Sequence, residues 1–219
     1  HSAGSGKSNS IAWLAHRLSS LHNAGDGKVF DSVVVITDRR VLDQQLQDTI
    51  YQFEHKQGVV QKINEDTKQL VQALAGDTPI IITTLQKFPF VTETLEKLNQ
   101  QGNPNTLTIS TQGKRYAVII DEAHSSQSGE TAMDMKYVLN RHGIEEAAAQ
   151  YRADNPDEEN DGVLREMLKR GRQANISFYA FTATPKYKTK HVFDEPGPSG
   201  TAPFHKYGMR QAIEERFIL

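Results

Sequence analysis

Residues 1–8, His-Ser-Ala-Gly-Ser-Gly-Lys-Ser, set two glycines ahead of a lysine and a serine, a spacing suited to holding phosphates. Gly4 and Gly6 let the backbone turn inward, so that the stretch Ala3, Gly4, Ser5, Gly6, Lys7, Ser8 forms a cradle of N–H groups. Lys7 then reaches the β- and γ-phosphates of a nucleotide, the Ser8 hydroxyl takes a place on Mg2+, and the positive end of the following helix adds to the attraction. His1 stands where the pattern G-x-x-x-x-G-K-[ST] has its first glycine. A Gly/Ser-rich linker ending in Gly-Lys-Ser would look the same, so the rest of the chain decides.

A second group with chemistry follows the apolar run Tyr116-Ala117-Val118-Ile119-Ile120, which leads into Asp121-Glu122-Ala123-His124. Two carboxylates at the tip of a buried strand suit phosphoryl transfer to water: Asp121 holds Mg2+ and Glu122 orients and deprotonates the attacking water. An acidic surface turn is the plain alternative. A third group, Thr182-Ala183-Thr184-Pro185, ends the run Ile176–Phe181 and offers two hydroxyls at the same sheet edge.

The elements that must carry these groups read as an α/β chain. Ile11, Leu14, Ala15, Leu18 and Leu21 fall at helical spacing directly after the glycine-rich turn. Residues 33–37, 79–84, 116–120 and 176–181 are short apolar or β-branched runs without alternation, as strands buried on both faces of a parallel sheet require. Between them, helices are expected on the Leu42, Leu46, Ile50, Phe53 stripe, over 66–75, over 133–151 and, as a short basic helix, over 163–172. Residues 99–115 and 152–162 read as loops, the first open to a small hairpin, and 194–203, with its prolines and glycines, as a linker before a helix starting near Tyr207. The expected fold is a three-layer α/β P-loop lobe with a mainly parallel central sheet. It is divided into a lobe over 1–190, lacking the strand that feeds its phosphate loop, and a linker and helix over 191–219.

Composition narrows the partners. With 25 basic and 27 acidic residues the net charge is −2, so nucleic-acid binding has to come from a local face. The absence of cysteine excludes a disulfide scaffold and a thiolate metal site. No apolar run approaches membrane-spanning length, and a cytoplasmic location with no membrane partner is expected.

In this order, GSGKS, DEAH and TATP resemble motifs I, II and III of superfamily-two helicases and translocases. More closely, VVVITDRRVLDQQL, IITTLQKF, IIDEAHSSQSGE, FTATPK and YGMRQAIEERFIL resemble the motor part of the restriction (R) subunit of type I restriction-modification enzymes, over nearly the whole chain. That resemblance makes the lobe a RecA-like NTPase lobe and implies an ATP- and Mg2+-dependent translocase on double-stranded DNA, assembled with modification and specificity subunits. It also implies a nuclease domain and a second RecA-like lobe elsewhere in the same parent chain. His124, Thr182 and Thr184 would couple the γ-phosphate site to movement. Arg39, Arg40, Thr83, Thr84 and Gln86 sit where such lobes touch a phosphate backbone, although Arg39 and Arg40 also suit a solvated helix start. Ser125 and Ala183 replace the arginine and glycine common in that family. Because the second lobe supplies the arginines that meet the transferring phosphate, the chain by itself is expected to be nearly inactive. A stand-alone DEAH helicase and a P-loop regulatory switch without nucleic acid are the rival readings.

Overall fold

The computed structural model describes residues 6–37, 42–53, 58–100, 106–121, 130–154, 173–182, 194–197, 200–206 and 209–216. Five strands form a sheet: β1 (Ser32–Thr37), β2 (Val60–Lys62), β3 (Ile80–Thr84), β4 (Tyr116–Ile120) and β5 (Ile176–Ala180). Their order is β2-β3-β1-β4-β5, and every pairing is parallel. The central strands β1 and β4 are buried along their whole length, which is why their sequences are apolar apart from Ser32 and Thr37 at the two ends of β1, whose hydroxyls bond to Thr78 O and Thr83 O.

Strand alternation sorts these side chains between two cores. Val33, Val35, Ile80, Ile82, Ala117 and Ile119 face α1 (Lys7–Ser19) and α2 (Leu42–Gln52), meeting Ile11, Ala12, Ala15, Leu46 and Ile50. Val34, Ile36, Ile81, Tyr116, Val118 and Ile120 face the other way. They meet Leu70, Val71 and Leu74 of α3 (Thr67–Ala75), Val91 and Leu98 of α4 (Val91–Gln100), and Ala132, Met135 and Leu139 of α5 (Glu130–Asp154). The result is the three-layer α/β arrangement expected. The apolar stripe of α1 lies against the sheet and fixes the direction in which its first residue, Lys7, points.

Four expectations over the described residues are revised. The three-residue edge strand β2 was not expected, because Val60-Gln61-Lys62 is half-exposed and carries no apolar run. Residues 85–100 form a 3-10 helix (Leu85–Phe90) followed by α4, so residues 99 and 100, expected in a loop, are helical. In that loop, residues 106–115 contain no strand, and Leu107 is held by paired bonds to the Asn99 amide, with Nδ2 donating to Leu107 O and Leu107 N donating to Oδ1. The single helix expected over 133–151 is two, joined at Asn140 and reaching Asp154. The expected linker contains a small antiparallel hairpin, β6 (Glu195–Gly197) with β7 (Gly200–Ala202), made possible by the positive φ of Gly200 (110°). The last helix, α6, spans Met209–Glu214. The basic helix expected over 163–172 lies outside the described residues.

Candidate functional site

The carboxyl ends of β1, β4 and β5 converge on one point. Asp121 directly follows β4, its amide donating to Ile36 O at 2.9 Å, while the amide of Phe181, beyond β5, donates to Ile120 O at 2.8 Å. Ala117 and Ile119 face α1, and by the two-residue period of a strand Asp121 faces it too. Lys7 opens that helix. The two side chains meet as an ion pair, Lys7 Nζ to Asp121 Oδ1 at 2.9 Å, with only 14% and 12% of each exposed.

Gly6, directly before Lys7, has a backbone that a phosphate-binding turn can use. Gly6 is left-handed (φ 73°, ψ 23°) and caps α1 without a side-chain bond, its carbonyl accepting from the amides of Asn9 and Ser10. A residue with a Cβ would be strained at that φ, although the space around Gly6 is open. Ser8 lies in the first turn, half-buried. The donor set fits a nucleotide with Mg2+: a cation for phosphates, a hydroxyl and a carboxylate for the metal, and the positive end of a helix. Among the described residues no three acidic or histidine side chains cluster as a metal cage. A magnesium ion held through one carboxylate, one hydroxyl and phosphates requires none.

Thr182 is half-buried just past β5, next to the strand that carries Asp121. Thr37 belongs to this edge as well and was not singled out from the sequence. It ends β1 on the α1 side, is 4% exposed, and donates its Oγ1 to Thr83 O at 3.4 Å. The signal available was its place one residue past Ile36, the register partner of Ile120.

The residues expected at DNA divide. Thr84 is half-buried at the end of β3, and Gln86 is exposed on the 3-10 helix beside it. Thr83 faces the other way, into the core: it is 2% exposed and its buried Oγ1 has no hydrogen-bond partner among the described residues. A contact from the Thr83 hydroxyl to a phosphate is therefore not available from this surface. Ala3, Gly4, Ser5, Arg39, Arg40, Glu122, His124 and Thr184 lie outside the described residues.

Comparison with known families gives one match that bears on this geometry. Residues 1–144, about two-thirds of the chain, match the family described as SWI2/SNF2 ATPase. The chain belongs to the SWI2/SNF2 ATPases. Its five-stranded parallel sheet is that of a RecA-like lobe of this family, whose members use ATP with Mg2+ and act on DNA. The match takes in α1 with Lys7, all of β1 to β4, Asp121 and the first half of α5, while β5 and Thr182 lie beyond it. No curated protein matches the chain. Among the described residues no helix is long and apolar enough to cross a membrane.

Proposed function

We propose that this SWI2/SNF2 ATPase lobe is the first motor lobe of the R subunit of a type I restriction enzyme, a cytoplasmic complex, coupling ATP hydrolysis to translocation along double-stranded DNA. The observation that carries the motor part is the contact between Lys7 and Asp121 at the carboxyl edge of the sheet. The restriction context rests on the phrases DRRVLDQQL, DEAHSSQ and QAIEERFIL.

Bound MgATP supplies the phosphoryl group whose transfer to water releases the driving free energy. Ala3 to Ser8 would offer backbone amides to its phosphates, Lys7 would neutralise the β- and γ-phosphates, and Ser8 and Asp121 would hold the magnesium. Glu122 takes the proton of the attacking water. His124, Thr182 and Thr184 report the state of the γ-phosphate to the neighbouring strand end. Arg39, Arg40, Thr84 and Gln86 contact the DNA backbone, with Thr83 beneath them as support rather than contact. Residues 1–190 form the lobe, and 191–219 lead toward a second lobe of the same polypeptide.

The test is the full-length protein assembled with modification and specificity subunits. Duplex DNA bearing their recognition site is expected to stimulate ATP turnover and to drive displacement of a third strand from a downstream triplex, without unwinding the duplex. Strand separation that needs neither subunit would overturn the restriction reading in favour of a stand-alone helicase. ATP turnover indifferent to nucleic acid would favour a switch.

A further inference from the structure

At the amino-terminal edge of the sheet, three amide side chains tie the paired starts of β4 and β5 to α5, which the strand ladder does not reach. The α5 helix breaks at Asn140, whose backbone (φ −137°, ψ 32°) is not helical. Asn140 is 9% exposed and its Nδ2 donates to Gln173 Oε1 at 2.9 Å. Asn175 Nδ2 donates twice, to Leu139 O at 2.9 Å, just before the break, and to Lys114 O at 3.2 Å, just ahead of β4. Beyond the break, the amide of His142 donates to Thr111 Oγ1 at 3.0 Å. Gly143 suits the same arrangement, since a Cβ there would meet Asn140 Oδ1 at 2.6 Å. The starts of β4 and β5 are thus joined to the foot of the first half of α5.

Strand β5 needs such a tie. Phe178 and Ala180 pack toward one core, Tyr179 and Phe181 toward the other, and all four are only half-buried. A one-residue slip exchanges the faces of a strand, and a hydrophobic pattern resists that slip only when the faces differ. Here the faces differ only at the start of the strand, where Ile176 is buried on one and Ser177 is exposed on the other, while both are apolar from Phe178 onward. Among the described residues β5 is also an edge strand, held by β4 alone.

We infer that Asn175, with Asn140 and Gln173, is a positioning cluster that fixes the register of β5 on β4, and so sets Phe181 level with Asp121 and Thr182 just beyond it, about 23 Å up the strands from Asn175. The functional half of this inference rests on the roles proposed above for Asp121 and Thr182. Lys7 and Asp121 do not stand on β5, so nucleotide binding and turnover respond differently when the cluster is broken.

The experiment is Asn175→Ala in the full-length protein. Affinity for MgATP is expected to stay within about threefold of wild type while kcat falls by about tenfold or more, the pattern of an interaction needed in the transition state rather than for binding. Asn140→Ala, which removes one bond of the cluster, should fall between the two and carries the same test should Asn175→Ala not fold. Ala117 and Ser177 are register partners in a chain without cysteine, so Ala117→Cys with Ser177→Cys offers a cross-strand disulfide that pins the register independently. In the Asn175→Ala background, oxidation of that pair is expected to restore kcat and reduction to remove it. Unchanged turnover in Asn175→Ala, an equal loss of binding and turnover, or a disulfide that restores the melting temperature but not kcat would each overturn the inference. Failure of the site assignment would show separately, as turnover that survives Lys7→Ala.

Discussion

Lys7 Nζ lies 2.9 Å from Asp121 Oδ1, so the lysine assigned to phosphate and the aspartate assigned to metal hold each other. A nucleotide arriving without metal takes Lys7 from Asp121 and leaves a largely buried carboxylate facing phosphate charge. One arriving with Mg2+ gives each member a new partner of opposite sign. Entry of nucleotide and metal is therefore coupled through this pair. Asp121→Asn is expected to raise metal-free ATP affinity by about tenfold, equivalent to about 1.4 kcal/mol, and to shrink the gain that Mg2+ brings. Lys7→Ala should lower affinity under both conditions. Calorimetric titration with and without Mg2+ checks this, and metal-free affinity left unchanged by Asp121→Asn would show that the pair does not compete with nucleotide.

Glu122, next in sequence to Asp121, is assigned the water. Glu122→Gln keeps the size of the side chain and removes its basicity, so MgATP binding should persist while turnover drops by about 10² to 10⁴, the usual worth of a positioned general base. Loss of nucleotide binding comparable to that of Lys7→Ala would reassign the residue.

The meeting of Lys7 and Asp121 was legible in the sequence because both stand next to strong signals. Lys7 opens a periodic helix, and Asp121 ends an apolar run whose alternation decides which core it faces. The break at Asn140 was not legible. Its neighbours satisfy helical periodicity on both sides, and the partners that stabilise the non-helical backbone, Gln173 and Asn175, lie more than thirty residues away. Thr83 shows the same limit: its place near the end of β3 suggested a surface hydroxyl, whereas strand parity turns it into the core. By contrast α4 could have been found, since Val91, Leu95 and Leu98 have helical spacing and pack on one core.

Stability should divide sharply between core and cap. Ile81 is fully buried at the centre of β3, and Ile81→Ala is expected to cost about 2–5 kcal/mol through lost burial and a residual cavity. Asp66 caps α3 by accepting from the amide of Gln69 at 3.1 Å, on the surface, so Asp66→Ala should cost about 0.5–2 kcal/mol. Urea denaturation of the two variants measures both. A cap variant as destabilised as the core variant would mean that α3 holds the lobe together by more than its apolar face.

Tyr116 gives a prediction with opposite signs at two pH values. Its ring is buried at the start of β4, 1% exposed, and its hydroxyl has no hydrogen-bond partner among the described residues. Burial, and after it the carboxylates of Asp77 and Asp31, push its ionisation well above the ordinary value of 10.0. At neutral pH the hydroxyl is an unpaired buried dipole, which costs about 1–3 kcal/mol, so Tyr116→Phe should leave the melting temperature unchanged or raise it. In alkali the unfolded chain loses this phenolic proton near its ordinary pKa while the folded chain keeps it. Stability linked to Tyr116 is thus fully present below pH 10 and is lost as pH rises toward the raised folded value. Wild type should therefore lose more stability than Tyr116→Phe as pH climbs past 10. Denaturation followed at neutral pH and across the alkaline range checks both signs. A Tyr116→Phe variant clearly less stable at neutral pH would show that the hydroxyl makes a hydrogen bond, and an alkaline limb identical in the two proteins would show that it ionises as freely folded as unfolded.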